Sequence, residues 1–449
     1  MSFVKKLLNK HTLSLASNAV MPVIGMVTVG LLARSLTKPD FSDWIIFLTT
    51  FTLANLFRSG FLQTSLVKFY AGADKDQTEV VAGSTWYLGF ALTALLGFFS
   101  LIAFIFYHGY PTTELIIQWF AIIFFSTLPS SVALWILQAE ERFGRIFILQ
   151  FIWQGCFLIS VITLMVLHKA TFSVIIIAYC TTAIITSIFS IISGWAKISS
   201  IRYKTWACIR QLAHFGKYSV GTSVSSYLLR SSDTYIINFM FTDPTVVGIY
   251  YLPQRLMEVI EIPLRSFVAN ALPVMSAAVN RNDKSHITYI LKKYAGILTL
   301  LIIPVSLGSF IFADLVIDLL GGHKYVHTYA SNVFRIFMCY AILMPVDRFF
   351  GITLDMLNKP HINMAKVIIM LVINVIGDFA GIAIFHNLYG VAIASIFTFL
   401  AGVIYGYWVL RKYLNFTMMG ILKLGFIELR ALITNFIVKY KEKNAGGYK

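Results

Sequence analysis

Apolar runs of about twenty residues alternate with short polar turns along almost the whole chain, the length an α-helix needs to cross ~30 Å of hydrocarbon. The pattern predicts spans over 11–33, 42–62, 80–107, 115–137, 146–167 and 172–195. After a polar, basic loop at 196–214 it predicts six more, over 218–241, 246–275, 289–313, 329–354, 363–385 and 389–410. Beyond 410 the pattern changes. Leu422, Phe426, Leu429, Ile433, Phe436, Ile437 and Tyr440 share one helical face, while Lys423, Glu428, Arg430, Asn435, Lys439 and Lys441 occupy the other. A thirteenth span would place those charges in hydrocarbon, so an amphipathic helix in the inner-leaflet interface is expected.

Composition agrees. Charged residues make up 12% of the chain and apolar ones 58%, against the roughly 25% charged of soluble domains, so the reading is an all-α integral membrane protein. The basic start of the chain, with Lys5, Lys6 and Lys10, leads into a run without a small-residue cleavage site, which predicts a retained first helix. A net charge of +16 does not point to nucleic acid here, because Lys and Arg gather in alternate loops. With the N-terminus inside, one set of loops holds Lys68, Lys75, Arg142, Arg145, Lys197, Arg202, Lys204, Arg210, Arg281, Lys284, Lys359, Arg411 and Lys412. The other set holds only Arg34, Lys38, Lys169 and Lys324. That asymmetry places both ends of the chain in the cytoplasm.

The middle loop suggests two halves: a six-helix lobe over 1–213 that includes the loop, a second over 214–411, and a tail over 412–449. The turns 35–47, SLTKPDFSDWIIF, and 239–252, FMFTDPTVVGIYYL, lie between the first and second spans of their halves. Arg58-Ser59 and Arg265-Ser266 take similar places in the second spans. Such parallel repeats would be related by an axis along the membrane normal, with the substrate site at their interface.

The most unusual stretch is 249–275. It is long enough to span, yet Arg255, Glu258, Glu261 and Arg265 fall on one helical face, and Pro253, Pro263 and Pro273 invite kinks. A charge at the bilayer centre costs at least ~2.5–3.5 kcal/mol, so such a face is expected to line a polar cavity. Arg230 and Asp233 lie in the seventh span, Asp347, Arg348 and Asp355 in the tenth, and Lys366 and Asp378 in the eleventh. Structural roles compete for each: Arg230–Asp233, Arg255–Glu258, Glu261–Arg265 and Arg348–Asp355 have the spacing of helical pairs, and Lys366 has the reach to snorkel. Taken together, the arginines suit an anionic head group, because guanidinium binds phosphate through two N–H groups.

Enzyme chemistry finds no motif: no Walker loop, HExxH or GxSxG is present, and Cys156, Cys180, Cys208 and Cys339 lack metal or disulfide spacing. A transporter without a cofactor is expected, driven by a gradient or by equilibration.

Phe215-Gly216-Lys217-Tyr218 at the entry to the seventh span, Arg230-x-x-Asp233-x-Tyr-Ile-Ile within it, and Val247-Gly248-Ile249-Tyr250 with Arg255 after it resemble the polysaccharide-exporting branch of the MOP superfamily. That branch includes O-antigen and capsule flippases. The resemblance implies a MATE-like fold of two six-helix lobes around a V-shaped cavity, in a bacterial inner membrane. It also implies that an undecaprenyl-pyrophosphate-linked oligosaccharide crosses to the periplasmic leaflet by alternating access, among membrane lipids and beside a polysaccharide polymerase complex. Peptidoglycan lipid II flippases differ by extra C-terminal spans and several first-helix arginines, where this chain has only Arg34.

On this reading Arg58 and Arg265 face each other across the lobes and hold the pyrophosphate, with Arg255, Arg230 and Arg348 in support. Asp233, Glu258, Glu261 and Asp347 balance charge or carry a coupling proton or sodium ion. A MATE-like cation-coupled drug exporter is the alternative, with Asp233, Glu258 and Glu261 as its cation site. A membrane glycan polymerase or ligase is a further one, disfavoured by short outside loops.

Overall fold

The structure, a computed structural model, describes residues 10–106 and 111–445. The basic residues Lys5 and Lys6 lie outside them, as do the side chains of Ile433, Phe436, Ile437 and Tyr440. The described secondary structure is helical throughout. The long helices are α1 (Lys10–Ser35), α2 (Lys38–Tyr70), α3 (Lys75–Phe106), α4 (Pro111–Ala139), α5 (Phe143–Val166), α6 (Phe172–Ile192), α7 (Trp206–Met240), α8 (Thr245–Asn280) and α9 (Lys284–Ile311). A short α10 (Ala313–Gly321) precedes α11 (Ala330–Ala341), α12 (Met344–Met356), α13 (Pro360–Phe385), α14 (Leu388–Leu410) and α15 (Met418–Ala445).

With α11 and α12 taken as one span, α1–α9 and α11–α14 match the expected spans one to one. Among the described residues, nine helices are long and apolar enough to cross a membrane, ten with α11 and α12 joined across their 47° bend. Large apolar side chains are exposed along the spans, for example Phe98, Ile192 and Ile404. A soluble fold would have buried them; lipid is their solvent in this multi-pass membrane protein.

Two expectations change. The loop drawn over 196–214 is shorter: a 3₁₀ turn at Ile198–Tyr203 leads into α7, which begins at Trp206 with Thr205 as its cap, accepting from the Cys208 amide at 3.3 Å. The tenth span is broken in two, because Pro345 in the first turn of α12 lacks an N–H and cannot continue the α11 ladder. Pro253, Pro263 and Pro273, by contrast, sit inside one uninterrupted α8.

The chain packs into two compact units, dividing inside α8. Unit 1 is Met1–Tyr251 with Leu319–Gly322; unit 2 is Leu252–Asp318 with His323–Lys449. The expected repeat would divide the sequence near residue 213, whereas packing keeps α7 with α2 in unit 1: the Tyr227 hydroxyl donates to the Thr49 carbonyl at 2.9 Å. Both repeated turns cap helices here. Thr37 accepts from the Asp40 amide at 3.2 Å, and Asp243 accepts from the Thr245 amide at 2.9 Å. They also meet, since the Gly248 amide donates to the Ser42 hydroxyl at 3.0 Å, in a space that a Cβ on Gly248 would overfill. Arg34 donates to the Leu319 carbonyl at 2.8 Å and so ties that short segment to unit 1.

At one end of unit 1, Glu140 joins three elements. Lys197 and Arg142 pair with its two oxygens at 2.9 Å each, and the Tyr70 hydroxyl donates to it at 2.9 Å. Unit 2 has its own core, in which Leu264, Ala271 and Met275 of α8 pack with Leu291, Leu298, Phe349, Phe350 and Ile421.

Candidate functional site

Among the buried residues of α8, Leu256, Ile260, Leu264, Val268, Ala271 and Met275 follow one another in steps of three and four, which marks one helical face. The charges lie beside that face in two local pairs. Arg255 pairs with Glu258, and the Arg265 Nη2 donates to the Glu261 Oε2 at 2.9 Å. Glu261 preceding Arg265 by four residues is the favourable order for a helical pair. Burial is uneven: the Glu261 side chain is 14% exposed and that of Arg265 is 52% exposed. Arg265 therefore has its acid at its base and an accessible face on its guanidinium.

In unit 1, Asp233 is buried and accepts from the buried Tyr250 hydroxyl at 2.6 Å. This joins the seventh-span Arg-x-x-Asp motif to the Gly-Ile-Tyr motif, two parts that carried the family resemblance. Arg230, one turn earlier on α7, is exposed.

Arg58 is placed otherwise than expected. Its side chain is fully buried inside unit 1. It donates to the Phe124 carbonyl at 2.7 Å, Asn55 Oδ1 at 2.8 Å, Thr127 Oγ1 at 2.9 Å and Thr93 Oγ1 at 3.2 Å. These acceptors come from α2, α3 and α4, so the guanidinium ties three helices together with neutral oxygens. Both Nη groups are engaged in this way by neutral oxygens.

In unit 2, Arg348 is exposed while its neighbour Asp347 turns inward. Lys366 does not snorkel: only 3% exposed, it reaches Asp347 Oδ1 at 2.6 Å and the Asp347 carbonyl at 3.0 Å, joining α13 to α12. Asp355 takes the Asn363 amide, at 2.9 and 3.0 Å, in place of Arg348. Asp378 is fully buried, with the Asn374 amide 3.4 Å away. Among the described residues no cluster of three His, Cys, Asp or Glu is placed to hold a metal ion, and the four cysteines are unbridged.

A cavity of about 280 Å³ within unit 1, lined by both polar and apolar side chains, went unread in the sequence. Asn55, Gln150 and Gln154 line it beside Phe51, Trp153 and Tyr179. Gln150 and Gln154 share a helical face four residues apart, flanking Trp153. Uncharged amides inside an apolar run were the available signal.

Residues 31–330 match the model of a family described as polysaccharide biosynthesis protein. A curated relative from Haloferax volcanii, described as probable low-salt glycan biosynthesis flippase Agl15, is 26% identical over 212 residues, which is 47% of this chain and 44% of that protein. The match thus spans less than half of the relative's length. Among solved structures, an inward-facing multidrug resistance MATE family transporter of the MOP superfamily superposes with a TM-score of 0.72 at 13% identity, over 89% of this chain and 99% of that one. The lipid II flippase MurJ, in an inward closed conformation, superposes with a TM-score of 0.70 at 17% identity, over 94% of this chain and 92% of that one. At such identities these likenesses establish the fold alone, which is the MATE-like one expected from the sequence and is shared with MurJ.

Proposed function

The chain belongs to the polysaccharide biosynthesis protein family, and from that premise we propose that it is a flippase for a lipid-linked oligosaccharide. The substrate proposed is an undecaprenyl-pyrophosphate-linked repeat unit, of O-antigen or capsule, carried from the cytoplasmic to the periplasmic leaflet of a bacterial inner membrane by alternating access. The curated relative's description as a glycan biosynthesis flippase supports the class of cargo.

The observation that carries the proposal is Arg265. An arginine in the middle of a membrane-length helix, 52% exposed and held from one side by Glu261, offers a positive, hydrogen-bonding face at a depth where lipid offers none. A pyrophosphate leaving water needs such fixed positive groups. Arg230, Arg255 and Arg348 are the further cations proposed to serve the head group, and Glu258 and Glu261 the acids proposed to limit how tightly it is held; Arg230 and Arg348 are exposed, and the Arg255 side chain is 19% exposed. An inside-negative potential contributes ~2.3 kcal/mol per charge per 100 mV toward moving an anion outward. Asp233 and Asp347 are the remaining groups proposed to balance charge or carry a coupling ion.

Loss of the gene in its host, followed by complementation, tests the reading. Lipid-linked repeat units should accumulate on the inner leaflet and surface glycan should disappear, both reversed by the intact gene. Unchanged glycan export, together with new sensitivity to organic cations, would establish the drug-exporter alternative instead.

A further inference from the structure

The cavity of unit 1 lies among α2, α4, α5 and α6, and its lining is unusual for the inside of a membrane protein. It holds three carboxamides, several hydroxyls and three aromatic rings, and among its described lining residues no ionisable acid or base other than the Tyr179 phenol. Its volume, about 280 Å³, lies just under the ~300–1,000 Å³ of pockets for drug-sized ligands, so it suits one ring.

The polar groups are oriented. Arg58, behind the wall, donates to Asn55 Oδ1 at 2.8 Å, which fixes the flip of that amide and leaves its NH₂ as the donor. Arg58 also donates to Thr127 Oγ1 and, at 3.4 Å, to Ser131 Oγ, whose own protons go to carbonyls one turn back. Those hydroxyls present acceptors only. Gln154 also lines the cavity, and among the described residues its buried Oε1 has no hydrogen-bond partner. A hydroxyl donor brought to it would supply the bond that this oxygen lacks. Trp153 and Tyr179 meet edge to face with centroids 5.3 Å apart, and with Phe51 they supply the aromatic part of the lining.

Uncharged donors and acceptors set among aromatic rings are complementary to a pyranose, a ring with hydroxyls around it and an apolar C–H face. We propose that this cavity is a subsite for one sugar ring of the transported glycan, with Trp153 against the C–H face and Asn55 and Gln154 bonding hydroxyl or acetamido groups. Arg58 is its positioning residue, acting through Asn55, Thr127 and Ser131. The inference rests on the flippase reading and adds a place for the glycan to one for the phosphate. Organic cations are disfavoured here, since the lining holds no carboxylate and a buried guanidinium stands behind it.

The test uses the detergent-purified full chain and saturation-transfer NMR with the methyl glycosides of glucose, galactose and N-acetylglucosamine. At least one should receive saturation, and its signal should fall at least fivefold in both Trp153→Leu and Gln154→Leu, with Lys324→Ala unchanged. A conservative Gln154→Asn should keep part of the signal, which guards against loss by misfolding. The proposal is overturned if no glycoside receives saturation, if both variants leave the signal intact, or if tetraphenylphosphonium occupies the cavity instead. Export in cells is scored in parallel. Normal export by both variants with no glycoside bound removes the subsite and leaves the flippase standing. Glycoside binding with no export defect on deletion does the reverse.

Discussion

Gly425 of α15 lies directly against Gly296 of α9. A Cβ on Gly296 would stand 2.8 Å from the Gly425 Cα and 2.2 Å from the Ile421 carbonyl oxygen, so the backbones themselves are in contact. The amphipathic reading of the tail is thereby extended. Leu422 and Phe426 are exposed, as an interfacial face requires, but Ile421, Gly425 and Glu428 form another face that docks on α9. Gly425→Ala should force the helices apart, costing about 1–3 kcal/mol as overpacking does. Limited proteolysis should release the tail sooner and the melting temperature should fall, whereas Gly420→Ala, with more room, should change little. Equal tail resistance in both variants would mean that the glycine contact does not hold the helix.

The Glu140 clasp should be pH-dependent. Burial pushes the Glu140 carboxyl up, but hydrogen bonds from Lys197 and Tyr70 and the charges of Lys197 and Arg142 outweigh it and hold the group below its ordinary 4.5. A depressed carboxyl contributes stability that is present above the unfolded value and lost as pH falls through the folded one. Burial lowers Lys197, but its bonds to Tyr70 and Glu140 raise it further, so its contribution is present below 10.5 and fades only at higher pH. Melting curves of wild type and Glu140→Gln should therefore differ at pH 7 and converge as pH falls through the depressed folded value, below 4.5. A constant difference across that range would assign the effect to packing.

Sequence patterning was enough for the helices because lipid imposes length and hydropathy on each span separately. It was enough for the α8 pairs because they are local, three and four residues apart. It failed at Arg58, whose partners Thr93, Phe124 and Thr127 lie 35, 66 and 69 residues away. One hydroxyl in an apolar run reads like any other until the helices are packed. Lys366 failed for the same reason, its acid being on another helix. The break at Pro345 was legible, but prolines in α8 carried the same mark without interrupting the helix.

Lys366 and Asp347 separate a structural role from a coupling one. Lys366→Met should leave Asp347 without its partner and destabilise by about 3–5 kcal/mol, toward the lower end because the Asp347 side chain is 16% exposed. Adding Asp347→Asn should recover most of that stability, read as melting temperature in detergent. Export by the stable double variant then decides: normal transport removes Asp347 from the candidates for ion coupling, and a folded but inactive protein keeps it there.

Arg265 and Glu261 pose the corresponding question for the phosphate. If Arg265 contacts the pyrophosphate, Arg265→Ala should abolish glycan export at unchanged protein level. Arg265→Lys should restore part of it, since the charge survives and the planar fork does not. The competing account is that Arg265 only neutralises Glu261, whose side chain is 14% exposed. That account makes the opposite prediction for Arg265→Ala combined with Glu261→Gln: with no acid left to neutralise, export should return in full. On the phosphate-binding account the double variant stays inactive, because the anion has lost its donor whatever becomes of the acid. Surface glycan and accumulated lipid-linked precursor, measured together in cells expressing each variant, distinguish the two. Full recovery in the double variant would remove Arg265 from the substrate site, and with it the observation on which the pyrophosphate assignment chiefly stands.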